Sequence, residues 1–274
     1  MLRHKDAAVG TAAVLVPTPP TLCVHKPAVC VMDQSTLDKL RKLHLKTMAA
    51  AYETQDSVPG IMDMTFDERL SFLVDAEMDS RDNRRLSRRI KEAHFPDSNA
   101  VIEGIKYYQD RNLNRNQITA LATNQYIHKP KNILVTGATG AGKTYILAAL
   151  GNRACQQNYK VLYIRMPELF NEIERAKMEG EYEKLLKKYH SRDLLIIDDW
   201  LLYPVKEGQC EQILEVLEGR YRHSATIVGS QYTEDGWRER LGSGAVAEAI
   251  MDRLTACAER IMILGDKSMR TRND

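Results

Sequence analysis

The chain has 274 residues, 43% hydrophobic and 28% charged, with 39 Lys and Arg against 37 Asp and Glu for a formal net charge of +2. Such a composition buries a core, which excludes disordered and fibrous classes, and no apolar run approaches the roughly 18 residues of a membrane-spanning helix. The five cysteines (Cys23, Cys30, Cys155, Cys210, Cys257) are odd in number, scattered and free of any C-x-x-C pair, so neither a disulfide framework nor a zinc site is expected and the reducing cytoplasm fits best.

Residues 1–31 pass from Met-Leu-Arg-His-Lys through Ala12–Val16 to Pro17-Thr18-Pro19-Pro20, a superficial imitation of a secretory signal that is short and broken by Gly10 and Thr11. Residues 1–34 therefore read as a disordered arm or an upstream extension, with Met32 as the natural start. Ser35-Thr36-Leu37-Asp38 has the form of a capping box, and Leu37, Leu40, His44, Met48 and Ala51 recur at helical spacing, predicting one helix over 36–54 that Ser57-Val58-Pro59-Gly60 stops. A second box, Thr65-Phe66-Asp67-Glu68, opens a longer helix with Phe66, Leu70, Leu73 and Val74 as its apolar stripe. Residues 81–92 of that helix carry six basic and two acidic residues, a local net of +4. Arg84, Arg85, Arg88 and Arg89 make this a candidate DNA surface, with a solvated helix face as the plain alternative. Phe95-Pro96 ends the helix. A helical domain over 35–98 and a helical linker over 99–130 are expected, with Tyr107 and Tyr108 as packing residues.

The strongest local pattern follows. Gly137-Ala138-Thr139-Gly140-Ala141-Gly142-Lys143-Thr144 satisfies G-x-x-x-x-G-K-[ST], behind an apolar strand (132–136) and ahead of helix formers (145–150). Its glycines let backbone N–H groups turn onto phosphate oxygens at a helix N-terminus; Lys143 would reach the β/γ-phosphates of ATP, and Thr144 would ligate Mg2+. Further apolar runs at 160–165, 194–198, 225–230 and 260–264, separated by helical stretches, predict a parallel sheet covered on both faces over 131–274. The 27 residues Met166–Arg192 have room for two helices broken at Gly180, and Arg175, Lys177, Lys184, Lys187 and Lys188 make them a second candidate DNA surface. The strand 194–198 ends in Asp198-Asp199, 55 residues beyond Lys143. This reads as a Walker B segment in which Asp198 would hold Mg2+ through water and Asp199 would polarise the attacking water. Only ten residues follow Leu264, so no C-terminal lid is expected.

The P-loop, Leu194-Leu195-Ile196-Ile197-Asp198-Asp199-Trp200, Gly229-Ser230-Gln231 with Trp237, Ala249-Ile250-Met251-Asp252-Arg253-Leu254 and Lys267-Ser268-Met269-Arg270 together resemble the IstB family over about residues 36–271. These are AAA+ ATPases, relatives of the DnaC helicase loader, encoded beside the transposase of a bacterial insertion sequence. The resemblance implies an α/β fold, a P-loop NTPase AAA+ core with a five-stranded parallel sheet preceded by a small all-helical domain. It implies ATP and Mg2+ as cofactors, double-stranded DNA and a partner transposase as partners, and a cytoplasmic homo-oligomer with ATP sites shared between subunits. It puts the sensor polar group at Gln231, the arginine finger at Arg253 with Arg238 and Arg240 as rivals, and a nucleotide contact at Arg270. Asp199 stands where the wider class has Glu, which would favour slow hydrolysis. The alternatives are a DnaC-type helicase loader, a small-molecule P-loop kinase and a non-hydrolysing nucleotide switch.

Overall fold

The computed structural model describes residues 34–265 and 267–272; the expected N-terminal arm lies outside them, apart from Gln34. The chain divides into two compact units, one ending at Glu77 and one running from Met78.

In the first unit the helix expected over 36–54 is two helices, α1 (Gln34–Lys42) and α2 (Lys46–Thr54). His44 takes a left-handed conformation (φ 58°), His44 N donates to Arg41 O at 3.0 Å and Leu45 N to Leu40 O at 3.0 Å. That is a Schellman cap, and it closes α1 without a glycine. Ser35 stands inside α1 rather than before it, so the first expected capping box does not start the helix. The second does: Thr65 N and Oγ1 donate to Glu68 Oε2 at 2.7 and 2.9 Å, and Glu68 N to Thr65 Oγ1 at 3.3 Å, at the head of α3 (Phe66–Ala93). Glu77, nearly fully buried, accepts from Thr47 N at 2.8 Å and Met48 N at 3.0 Å, so its carboxylate caps the N-terminus of α2. The apolar stripe expected on α3 is only partly internal: Leu73 is buried, whereas Phe66, Leu70 and Val74 are exposed.

The second unit is built on one five-stranded sheet of order β2-β3-β4-β1-β5, with β1 Ile133–Gly137, β2 Val161–Arg165, β3 Leu194–Asp198, β4 Ala225–Ser230 and β5 Glu259–Ile263. All pairings are parallel, as the near-continuous apolar runs require of strands covered on both faces. Side chains alternate between two cores. Ile133, Val135, Val161, Ile196, Ile227 and Ile261 pack on one face with α6 (Lys143–Gln156), where Leu86 and Ile90 from the later turns of α3 also pack. Leu134, Leu162, Ile164, Leu195, Ile197 and Val228 face the other way, onto α7 (Met166–Glu179), α8 (Tyr182–His190), α9 (Gln209–Glu218), α10 (Glu234–Leu241) and α11 (Ala245–Thr255). The crossover between β2 and β3 is the expected helix pair, with Gly180 (φ 72°) capping α7. Ahead of β1, residues 99–130 hold only short elements, α4 (Arg115–Leu121) and α5 (Gln125–His128) among them. No helix among the described residues is long and apolar enough to cross a membrane.

Candidate nucleotide site

Because β4 lies between β3 and β1 and all three run parallel, their carboxyl ends lie side by side at one edge of the sheet. Gly137 ends β1 and the loop turns back into α6 with Gly140 at φ 80° and Gly142 at φ 88°. Both are left-handed, and a Cβ on Gly140 would lie 2.3 Å from Ser268 Oγ, so that position takes glycine on both conformational and steric grounds. Lys143 Nζ donates to Gly137 O at 2.7 Å and Ala138 O at 3.0 Å, folding the ammonium over the loop. Burial pushes its pKa down, against the pull of Asp198 and Asp199. Thr144, in the first turn of α6, donates from Oγ1 to Asp198 Oδ2 at 2.6 Å.

Asp198 ends β3 almost fully buried, and its Oδ1 accepts from Asp199 N at 2.9 Å. Beyond it the chain is strained: Asp199 and Leu201 both lie at φ 52°, a conformation that non-glycine residues hold only where the surroundings impose it. Trp200 N donates to Gly229 O at 2.8 Å, and the Ser230 hydroxyl, which donates to Trp200 O at 2.8 Å, accepts from Trp237 Nε1 at 2.9 Å. These bonds hold the Asp199 turn against the end of β4. Gln231, next after β4, accepts from Thr139 Oγ1 at 2.7 Å, so the expected sensor residue touches the P-loop directly. Thr139, Gly140, Lys143, Asp198, Asp199 and Gln231 line one cavity of about 570 Å³, within the roughly 300–1,000 Å³ of small-molecule sites. The exposed Arg270 lines it too.

Four features of this site were not found by sequence reasoning. Tyr163 OH donates to Asp198 Oδ2 at 2.8 Å; burial, then the Asp198 charge, raises its pKa. Arg165 Nε donates to Asp199 Oδ2 at 2.7 Å. Both are on β2, and the one available signal is register: Arg165 pairs with Asp198 across the β2–β3 ladder. Arg111 is buried beneath the loop, donating to Ala141 O at 2.7 Å and to Lys106 O. The chain after β5 returns over the loop, where Met269 N donates to Gly140 O at 2.8 Å, and Arg272 ties it down through a two-toothed ion pair with Asp110. Nothing local in the sequence marks Arg111 or Arg272 as part of the site, because the P-loop carbonyl that Arg111 reaches and the carboxylate that Arg272 reaches lie 30 and 162 positions away.

The remaining expected residues lie elsewhere. Arg253, in the last turn of α11, pairs with Glu218, and its backbone carbonyl accepts from Asn132 Nδ2 at 2.8 Å. Asn132 precedes β1, roughly 16 Å of strand at 3.3 Å per residue from Gly137. Arg253 therefore sits at the opposite end of the sheet from its own P-loop. Arg238 pairs with Glu248 at 3.9 Å and Arg240 stacks 3.6 Å from the Tyr232 ring centroid. Arg84, Arg85 and Arg88 are exposed on α3, with Arg85 paired to Asp82 at 3.1 Å and Arg88 to Glu92 at 3.9 Å, while Arg89 is half-buried. On α7 and α8, Lys184 pairs with Glu181 at 3.0 Å, Lys188 with Glu172 at 3.1 Å, and Lys177 covers the Tyr182 ring at 4.9 Å; Arg175 and Lys187 are exposed.

A P-loop after β1, paired carboxylates after β3 and a polar residue after β4, on a parallel sheet of this order, define a nucleotide-binding P-loop protein of the AAA+ class. The fold is shared with the crystal structure of DnaI, which matches with a TM-score of 0.51 at 22% identity over 61% of this chain and 89% of that one. The chain belongs to the family described as IstB-like ATP binding protein, whose profile it matches over residues 38–274. It is 38% identical over 201 residues to the ATP-binding protein of insertion sequence IS1162 from Pseudomonas fluorescens, covering 73% of this chain and 87% of that protein. An insertion-sequence ATP-binding protein of Sinorhizobium fredii is 35% identical over 244 residues, 88% of this chain and 97% of its own length.

Proposed function

We propose that the chain is a Mg2+-dependent ATPase that acts in the bacterial cytoplasm as the DNA-binding helper of an insertion-sequence transposase. The observation that carries this reading is the convergence of Lys143, Thr144, Asp198, Asp199 and Gln231 on one cavity, in a chain whose relatives are ATP-binding proteins of insertion sequences. Residues 131–274 form the ATPase domain in this reading, and residues 35–98 the helical domain before it.

Thr144 Oγ1 and Asp198 Oδ2, 2.6 Å apart, are the paired oxygen donors that a hard divalent cation takes, so the residues fit Mg2+. The ion would supply charge neutralisation at the β/γ-phosphates. Lys143 exchanges the carbonyls of Gly137 and Ala138 for phosphate oxygens, and the N–H groups of residues 137–144 hold the rest of the anion at the head of α6. Tyr163, whose hydroxyl donates to Asp198 Oδ2, would keep that carboxylate oriented with Mg2+ bound. Asp199 accepts the proton of the attacking water, and Gln231, fixed by Thr139, orients that water. The base of the nucleotide fits a neighbouring cavity of about 250 Å³ lined by Ile105, Lys106, Tyr108, Tyr145 and Met269, next to Arg270.

Binding to duplex DNA would draw on Arg84, Arg85, Arg88 and Arg89 and on Arg175, Lys177, Lys184, Lys187 and Lys188. Such contacts are to phosphate and largely independent of sequence. Arg253, too far to serve its own P-loop, serves that of a neighbouring copy, which makes the oligomer the active form. A replicative-helicase loader shares this fold; the assignment of the relatives to insertion sequences favours transposition.

The test is turnover of Mg-ATP with and without long duplex DNA, together with a salt titration of DNA binding. Neutralising both arginine and lysine sets should flatten the salt slope, and an unchanged slope would return them to plain surface. The Arg165–Asp199 ion pair favours a second reading, a nucleotide switch that hydrolyses slowly because its base is engaged. Arg165→Gln then raises turnover up to about fivefold, as release of an exposed pair worth at most about 1 kcal/mol allows. A fall in turnover would mean instead that Arg165 holds Asp199 in its working position.

A further inference from the structure

At the amino-terminal end of the sheet, opposite the P-loop, lies a second and much smaller cavity of about 70 Å³. Lys131, Arg220, Arg222 and Arg253 line it with Ser224 and Tyr221, and no carboxylate does so among the described residues. Four cations around one small concavity repel one another unless an anion joins them.

The cluster has a rigid floor. Arg220 is 1% exposed and held by neutral oxygens only: Nε donates to Thr226 Oγ1 at 3.1 Å, Nη1 to Tyr189 O at 2.6 Å and Arg192 O at 2.9 Å, Nη2 to Ala225 O at 2.5 Å. Burial pushes its pKa down to about 9, only partly offset by the Asp193 charge. A buried guanidinium with no carboxylate hydrogen-bonded to it is costly in isolation, and a bound oxyanion offsets that cost. On the rim, Arg222 and Arg253 flank the Tyr221 ring, with guanidinium carbons 5.1 and 5.6 Å from its centroid. Lys131, Arg222 and Ser224 have no side-chain hydrogen bond or ion pair among the described residues. On the rim only Arg253 is engaged, by Glu218 from outside the cavity and by Ala249 O at 3.3 Å, and solvent at Glu218 keeps that ion pair weak.

We infer that Lys131, Arg222 and Ser224, backed by Arg220, form an oxyanion pocket that receives the terminal phosphate of the nucleotide held by a second copy of this chain, beside Arg253. The inference rests on the proposed trans role of Arg253 and adds the groups that act with it. The chain's own nucleotide cannot reach the pocket, since the whole length of β1 separates them.

The test is the full-length double variant Lys131→Gln/Arg222→Gln, both positions being exposed, with melting temperature and assembly on DNA checked first. Measured without DNA and at a dilution where the chains are monomeric, its own ATP affinity should stay within twofold of the parent, while turnover on long duplex falls at least tenfold. Mixed in equal amounts with Lys143→Ala chains, whose cluster is intact, it should regain activity, because about one interface in four then joins a working loop to a working pocket. The charge-preserving Lys131→Arg/Arg222→Lys pair should keep turnover. Parent-level turnover in the Gln variant overturns the inference, and so does loss of turnover in the charge-preserving pair. Loss without rescue overturns it too; if Arg253→Ala is rescued by Lys143→Ala in parallel, the trans finger stands and the pocket alone fails, whereas no rescue of either sinks both. Weaker DNA binding with a flatter salt slope and unchanged turnover would make the phosphate source DNA, which also overturns it.

Discussion

Lys143→Ala isolates the contact on which nucleotide binding depends most. In the free loop the ammonium donates to two carbonyls at 2.7 and 3.0 Å, so binding exchanges these bonds for phosphate oxygens, and the gain is the charge–charge part. For a partly buried pair about 4 Å apart that is about 4 kcal/mol. Losing 3–4 kcal/mol of it weakens ATP by about 10²–10³-fold. A thermal-shift assay reads this directly. ATP at about 100 times its Kd stabilises the parent by about 2.7 kcal/mol, while a variant bound 100-fold more weakly gains about 0.4 kcal/mol at the same concentration. For a unit of this size, each kcal/mol moves Tm by about 2–4 °C. The parent should therefore rise by about 5–11 °C and the variant by about 1–2 °C. Without ATP the two should melt close together, because the lost carbonyl bonds are offset by no longer burying a charge. An ATP-induced shift in Lys143→Ala equal to the parent's would refute the site.

Asp199→Asn should keep the full ATP-induced shift and lose turnover by at least about a hundredfold, the scale of a general base; normal turnover moves the base elsewhere. Tyr163→Phe removes one of three donors to the buried Asp198 carboxylate and should lower stability by about 1–2 kcal/mol, read as a fall in Tm; an unchanged Tm would mean that the hydroxyl contributes nothing. The Arg272 guanidinium holds the Asp110 carboxyl below its usual range, so its contribution is present at neutral pH and lost as pH falls through that lowered value. Asp110→Asn at pH 7 should therefore imitate acid, loosening residues 267–272 over the loop and speeding tryptic cleavage after Arg270; identical cleavage rates would show the tether to be idle.

The nucleotide loop, the carboxylates at the end of β3 and the alternation of apolar runs were all present in the sequence, because each depends on residues within a few positions of one another, whereas Gln231 was placed only by the family resemblance. A P-loop needs its glycines and lysine at fixed spacing, and a strand covered on both faces needs an unbroken apolar run. Helix ends were less well determined: His44 closes α1 in a left-handed turn that a glycine would have announced. Phe66, Leu70 and Val74 have the spacing of a core stripe, yet spacing says only that they share a face and not whether anything covers it. What the tertiary structure alone decided was which distant side chains meet. Register sets Arg165 and Tyr163 of β2 against the carboxylates of β3, and the chain leaving β5 returns to the loop through Arg272 and Asp110, 162 positions apart. α11 runs back to the amino end of β5, which puts Arg253 at the far end from its own P-loop, beside Arg220 and Lys131. These partners lie on different strands and loops, so no local pattern encodes their pairing; it arises only when the strands align.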